Sequence, residues 1–226
     1  MASHSQGWRR VPGGLLVVTL AATAALAEAP VDPAREALPP PAPRAATPTG
    51  HVLFRDDFAE TSLTAWERDR GDVWSVRAGM LRADLPDRKQ EHSFIFAGDS
   101  TWTDYTVDVD VCAMRGVDKG VAVRVEGQRS AVAVDLRGPG YQDVILHVRE
   151  WPLGKARALN ANGVWQHLRI EARGQRMRVW VNGVLAIDRA EVRRARPNGR
   201  IALAAYTGGV GECTVYYDNV VVTEVP

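Results

Sequence analysis

Between Gly120 and Trp151, three strand-like runs turn Arg124, Asp135, Arg137, His147 and Arg149 away from their apolar partners, and Trp151 ends the last run. Guanidinium forks and a carboxylate hydrogen-bond in a plane, and an indole offers a flat apolar face. That combination suits a polyhydroxylated ligand, and its plain alternative is a solvated face of ordinary cross-strand pairs. Splitting a glycosidic bond normally takes two carboxyls set across the scissile oxygen. Asp108 and Asp110 share one face of a strand, but no third acid follows and Cys112 is next in phase. Asp135 is the only acid between Ala131 and Arg137. His51, His92, His147 and His167 lack the spacing of zinc ligands, and neither a nucleophile elbow nor a phosphate-binding glycine loop occurs. The five arginines from Arg189 to Arg200 flank a Pro197-Asn198-Gly199 turn and read as a solvated crossover loop.

The elements that must hold these residues are clearest in Trp165–Asp188. Leu168, Ile170 and Ala172 alternate with His167, Arg169, Glu171 and Arg173, and then Met177, Val179 and Val181 alternate with Arg176, Arg178 and Trp180. A period of two puts one set on a buried face. Gly174-Gln175 and Asn182-Gly183 supply the turns, the second suited to the positive φ angles of a type I′ hairpin. Such a meander leaves an apolar face that needs a second sheet to cover it. Trp165 opens the first strand and is expected to be buried, closing one end of the core. Trp180 is expected to point away from the core, covered by Arg169 or Arg178. Alternation recurs at Asp104–Met114, Gly120–Glu126, Ala131–Arg137, Tyr141–Arg149, Ile201–Tyr206 and Thr214–Thr223. Many short alternating strands with frequent turns mean an all-β antiparallel sandwich or barrel.

The N-terminal region reads differently. Arg9 and Arg10 precede an apolar run ending in Ala25-Leu26-Ala27, the pattern of a secretory signal peptide over residues 1–27 and too short for a membrane span. The expectation is an exported protein, periplasmic or extracellular. Residues 28–50 are rich in proline and alanine without apolar periodicity, which reads as a stiff, extended or disordered linker. Residues 51–226 remain as one β domain. Cleavage would remove Arg9 and Arg10 and no acid, turning 28 basic and 27 acidic residues into a slight acidic excess. That balance argues against a general nucleic-acid binder. Cys112 and Cys213 are the only cysteines, and an even pair in an exported chain is expected to form a disulfide. Cys112 lies on the polar face of its strand while Cys213 is in phase with Val215 and Tyr217, so a bulge is needed to join them.

Several landmarks fall in a telling order: F-x-D-D-F at Phe54–Phe58, W-x-V-x-x-G-x-L at Trp74–Leu81, W-x-x-L-x-I with V-x-V-N-G across Trp165–Gly183, G-R-I-A-L at Gly199–Leu203, and Y-D-N-V-V-V at Tyr217–Val222. Together they resemble the concanavalin A-like lectin/glucanase superfamily in its laminin-G-like form, and the related 3-keto-disaccharide hydrolase domain. The resemblance implies a two-sheet antiparallel jelly-roll sandwich with first and last strands paired. It also implies a ligand on the concave sheet, which by order is the run holding Arg124, Asp135, Arg137, His147, Arg149 and Trp151. Related folds often bind a structural calcium near the paired termini, which here would use Asp56 or Asp57 with Asp218. No other cofactor is implied. The first functional reading is therefore a non-catalytic module binding a glycan or glycoside. One alternative is an enzyme cleaving a 3-keto glycoside by elimination with His147 or Asp135 as base. Another is a structural or protein-interaction domain. Two departures weigh against catalysis: the glucanase E-x-D-x-E strand is reduced to Asp135, and the N-S-G strand start of the keto-sugar branch is replaced by Asp118-Lys119-Gly120.

Overall fold

A computed structural model describes residues 32–43, 48–126, 131–148, 151–193 and 195–225. The chain divides into two units, residues 1–30 and 31–226, and every described residue belongs to the second. The signal-peptide reading and Arg149 lie outside the described residues. No helix among the described residues is long and apolar enough to cross a membrane.

Among the described residues, one helical turn, α1 (Pro33–Glu36), precedes fifteen strands. An eight-stranded antiparallel sheet takes β1 (Val52–Asp56), β3 (Trp74–Arg77), β4 (Met80–Asp84), β6 (Tyr105–Gly116), β11 (Gln166–Arg173), β12 (Arg176–Val181), β13 (Val184–Arg189) and β15 (Cys213–Glu224). Its order is β13-β12-β11-β6-β15-β4-β3, with β1 also on β15. A seven-stranded sheet takes β2 (Glu67–Arg68), β5 (His92–Ala97), β7 (Asp118–Val125), β8 (Val132–Arg137), β9 (Asp143–Val148), β10 (Trp151–Arg157) and β14 (Arg200–Tyr206), in the order β10-β9-β8-β7-β14-β5-β2. The jelly-roll sandwich expected from the sequence is present, and Phe54 faces Val222 where the first and last strands pair.

The apolar sets named above supply the core. Val107, Val109 and Val111 of β6 and Leu168, Ile170 and Ala172 of β11 meet Val121, Val123, Val132, Val134, Val144 and Leu146 of the opposite sheet. Two tyrosines cross between the layers. Tyr105 on β6 donates to the Gly199 carbonyl at 3.0 Å and accepts from the Arg124 amide at 2.6 Å. Tyr217 on β15 donates to the Ala204 carbonyl at 2.5 Å and accepts from the Gly120 amide at 3.2 Å.

Two expectations change at this level. Cys112 and Cys213 are buried free thiols. Cys112 pairs in register with Tyr216 and Cys213 with Gly116, so the two lie about 10 Å apart along β15. Cys213 shares the core face with Val215 and Tyr217, whereas Cys112 shares the outer face with Tyr216; the bulge between Thr214 and Val215 does not bring them together. Trp165 does not close the core. It is in phase with His167 and Arg169, on the outer face, and is half-buried there with its Nε1 donating to the Pro40 carbonyl at 2.7 Å. Residues 32–43 of the proline-rich stretch lie against the outer face of the eight-stranded sheet. Trp180 behaves as expected, on the outer face with the Arg178 guanidinium 5.4 Å and that of Arg169 6.0 Å from its ring.

Candidate functional site

The outer face of the seven-stranded sheet is laid out in rows, because directly opposed residues of antiparallel strands share a face. The register lines up His92, Tyr206, Asp118, Arg137 and Asp143 in one row, and Phe94, Ala204, Gly120, Asp135 and Ile145 in the next. The third row runs Phe96, Ala202, Ala122, Ala133 and His147. Side-chain size alone makes these rows a trough. Rings on β5 form one wall, with His92 and Phe94 reaching solvent and Phe96 buried against Ala122 and Ala202; glycine and alanine on β14 and β7 form the floor, and Asp135 with His147 on β8 and β9 forms the other wall. From β5 to β8 is three strand spacings, about 14 Å. The aromatic wall is a ladder, with ring centroids 5.6 Å apart for His92 and Phe94 and 6.2 Å apart for Phe94 and Phe96. The Arg200 guanidinium covers Phe96 at 5.1 Å.

The polar wall is built around one contact. His147 Nε2 and Asp135 Oδ2 are 2.8 Å apart. A Cβ placed on Gly120 would lie 2.5 Å from Asp135 Oδ1, so the missing side chain is what lets the carboxylate lean over the floor. One strand across, Asp118 is pushed up to about 6, first by burial and then by the Asp135 charge, with Arg137 opposing. A carboxyl that keeps its proton to near pH 6 beside an Asp–His pair offers an acid and a base within one cluster. At the trough's end Arg137 grips Asp143 with two hydrogen bonds of 2.8 and 2.9 Å, and Lys155 reaches the same carboxylate at 2.9 Å. Arg137 and then Lys155 hold Asp143 below the usual carboxylate range, and Tyr141 lies under the Arg137 guanidinium at 4.1 Å.

Of the residues expected from sequence, Asp135 and His147 touch, and Arg137 stands one row away. Arg124 is not on this face. Its φ is +55°, and the register against β14 slips between Arg200 and Ala202, so an extra residue bulges out of β7 and reverses the alternation. Val125 consequently joins Phe96, Ala122 and Ala202 on the outer face. Arg124 itself is buried at the end of the sandwich, bonded to the carbonyls of Thr103, Gly174 and Arg196 and to the Asp104 carboxylate. Trp151 pairs in register with Val148, not His147, and so lies on the opposite side of its edge strand. The aromatic ladder, the small-residue floor and Asp118 escaped sequence reading. Their signal was there as glycine and alanine at alternate positions 120, 122, 202 and 204.

Asp57 and Asp218 come near one another at the paired termini. Asp218 is pushed up to about 6, first by burial, with the charges of Asp110, Asp57 and Asp56 adding to the rise. The acids are engaged in turns: Asp56 accepts from the Phe58 amide and Trp66 Nε1, Asp57 from the Ala59 amide, and Asp218 from the Asn219 amide. Among the described residues no three His, Cys, Asp or Glu side chains are grouped to hold a metal.

A second polar cluster lies on the outer face of the eight-stranded sheet. His167 sits between Asp110 (Nδ1 to Oδ1, 2.8 Å) and Asp108 (Nε2 to Oδ1, 3.2 Å). Hydrogen bonds to Asp108 and then Asp110 push its pKa up to about 9. These groups line a cavity of about 450 Å³, together with Trp165, Asn219, Pro43 and Pro48.

A family model described as the 3-keto-alpha-glucoside-1,2-lyase-like domain matches residues 53–223. Among solved structures, the chain is similar to the carbohydrate binding module CBM66 from Bacillus subtilis, with 16% identity, 71% of this chain and 96% of that one covered, and a TM-score of 0.58. It is also similar to the Bacillus licheniformis β-glucanase, with 14% identity, coverage of 79% and 100%, and a TM-score of 0.60. A third is the VIP36 exoplasmic/lumenal domain in its Ca2+/Man3GlcNAc-bound form, at 14% identity, coverage of 78% and 91%, and a TM-score of 0.61. At these identities the likeness is one of fold. No curated protein matches the chain.

Proposed function

Because the chain belongs to the 3-keto-alpha-glucoside-1,2-lyase-like domain family, we propose that the trough on its seven-stranded sheet binds a carbohydrate. The observation that carries this reading is the trough's cross-section: an aromatic ladder, a floor of glycine and alanine, and the Asp135–His147 pair facing the ladder. Rings stack on the apolar faces of sugars, and the carboxylate and imidazole exchange hydrogen bonds with hydroxyls. Fold relatives named as a carbohydrate binding module and a Man3GlcNAc-bound domain support the ligand class. The apolar run ending in Ala25-Leu26-Ala27 supports export of the chain, which cell fractionation would test. Binding is measured by screening the purified chain on a glycan array and then titrating hits calorimetrically. Asp135→Asn and Phe94→Ala should each weaken binding at least about tenfold, a loss of about 1.4 kcal/mol; unchanged affinity in both would refute the site.

Asp118 favours a second reading, in which the trough also performs elimination. In a 3-keto glycoside the ketone acidifies the C2 hydrogen. The Asp135–His147 pair would take that proton, the electron pair would form the C1–C2 double bond, and the C1–O bond would break. Asp118, carrying its proton up to about pH 6, would protonate the departing oxygen. The products are an alcohol and an unsaturated keto sugar, and no water is consumed. Incubation with a 3-keto-disaccharide, followed by the ultraviolet absorbance of the enone, distinguishes the readings. Enone formation lost in both Asp118→Asn and His147→Gln supports elimination, and binding without enone leaves recognition alone.

A further inference from the structure

The other sheet carries a site of a different kind. Three side-chain donors on its outer face each reach a backbone carbonyl of the proline-rich stretch. Tyr216 donates to Ala37 at 3.4 Å, Trp165 Nε1 to Pro40 at 2.7 Å, and Asn219 Nδ2 to Pro43 at 2.7 Å. The accepting residues are three apart each time, and the polyproline II helix has three residues per turn, so these carbonyls share one side of such a helix. Ala37 has φ −65° and ψ 144°, close to the ideal for that conformation. Burial keeps the same period, with Pro39 buried and Ala42 half-buried while Leu38, Pro40, Pro41 and Pro43 are exposed.

The donors are held in place by the sheet. Asn219 has φ +54° at an irregularity in the β15 register between Asp218 and Val221, and its second amide hydrogen goes to Asp110 Oδ2 at 2.7 Å. Ahead of the three contacts, Asp32 pairs with Arg115 at 2.8 Å, Arg35 with Asp84 at 2.8 Å and Glu36 with Arg77 at 3.0 Å.

We propose that the outer face of the eight-stranded sheet is a polyproline-recognition groove, whose ligand is a proline-rich peptide in the polyproline II conformation. Residues 37–43 are the copy it holds in cis, and a second copy of the chain carries the matching segment. Side-chain donors, two of them aromatic, that reach carbonyls on successive turns of a stiff chain that loses little entropy on docking are the chemistry by which such peptides are recognised. In this resting arrangement the segment also borders the cavity containing His167, Asp108 and Asp110. The groove is independent of the trough on the other sheet.

The test uses the full chain and a fluorescent peptide with the sequence of residues 32–43. In a variant with Pro39→Gly, Pro40→Gly and Pro41→Gly, the cis segment loses its stiffness and competes poorly. Anisotropy should show this variant binding the peptide at least about tenfold more tightly than the unaltered chain. Adding Trp165→Phe and Tyr216→Phe keeps both rings and removes two donors, and should reverse the gain. Asn219→Gly, at the accessible end of the groove, suits the positive φ there and is a second donor variant, independent of the first. A control peptide with glycine for each proline should not bind. Equal uptake of both peptides, no uptake by the triple-glycine variant, or unchanged affinity in both donor variants would overturn the proposal.

Discussion

Tyr217 on one sheet and Gly120 on the other meet through the core, the tyrosine hydroxyl accepting from the glycine amide at 3.2 Å while donating to Ala204 at 2.5 Å. The contact fixes the floor of the trough to the opposite layer, because Gly120 and Ala204 are both floor residues. Tyr217→Phe would strand a buried N–H and a buried carbonyl, and should cost about 1–3 kcal/mol. Urea denaturation measures this; a loss below about 0.5 kcal/mol would show that the hydroxyl does not tie the sheets.

Gly120 should tolerate no side chain. Its added Cβ would meet Asp135 Oδ1 at 2.5 Å and the Val134 carbonyl at 2.7 Å, and the second neighbour is backbone. Gly120→Ala should cost about 1–3 kcal/mol through overpacking and should displace Asp135 from His147. The imidazole resonances of His147 report that displacement in an NMR pH titration, and a titration curve superimposable on that of the parent would count against it.

Asp118 makes a pH prediction. Its folded pKa, about 6, is above the ordinary value of 3.8, so the folded state holds its proton more tightly than the unfolded one. The resulting stabilisation is complete below about pH 4 and is lost as pH rises through about 6. Asp118→Asn should therefore stabilise the protein at pH 7, by about 1–2 kcal/mol after discounting for solvent screening, with the gain fading by pH 4. Melting temperatures of both proteins across that range decide the matter.

The thiols should be silent. Burial pushes Cys112 up to about 11 and Cys213 up to about 12, so neither is a nucleophile at neutral pH. Both should react with a thiol reagent only after denaturation, and a reducing agent should leave the melting temperature unchanged. A mass two units short of the fully reduced chain would restore the disulfide.

Strand alternation made much of the fold legible: the Trp165–Asp188 meander and the Asn182-Gly183 turn follow from period two and turn chemistry, whereas the pairing of Phe54 with Val222 was implied by the family resemblance. The same rule would have set Trp165 on the outer face, where the structure has it, since it is in phase with His167. The rule fails where a bulge adds a residue. Arg124 looked outward because Val121 and Val123 look inward, yet no residue type nearby announces its positive φ. The trough was half legible. Asp135 and His147 are chemically conspicuous, but its floor is made of the least conspicuous side chains, and Phe94 reads as core until its register is known. The proline-rich stretch was legible as extended chain; its docking was not, because hydrogen bonds to its carbonyls depend on a sheet distant in sequence.

Arg124 binds parts of the chain that have no other reason to move together. One guanidinium bonds to carbonyls of Thr103, Gly174 and Arg196, and the Asp104 carboxylate it pairs with also accepts the Gly174 amide. If any one of those loops swings out, the buried Arg124 side chain loses a partner. The loops at that end should accordingly open as one cooperative unit with a single free energy. In native-state hydrogen exchange, the amides of Gly174 and Gly199 would then respond to denaturant together, although they belong to turns on different sheets.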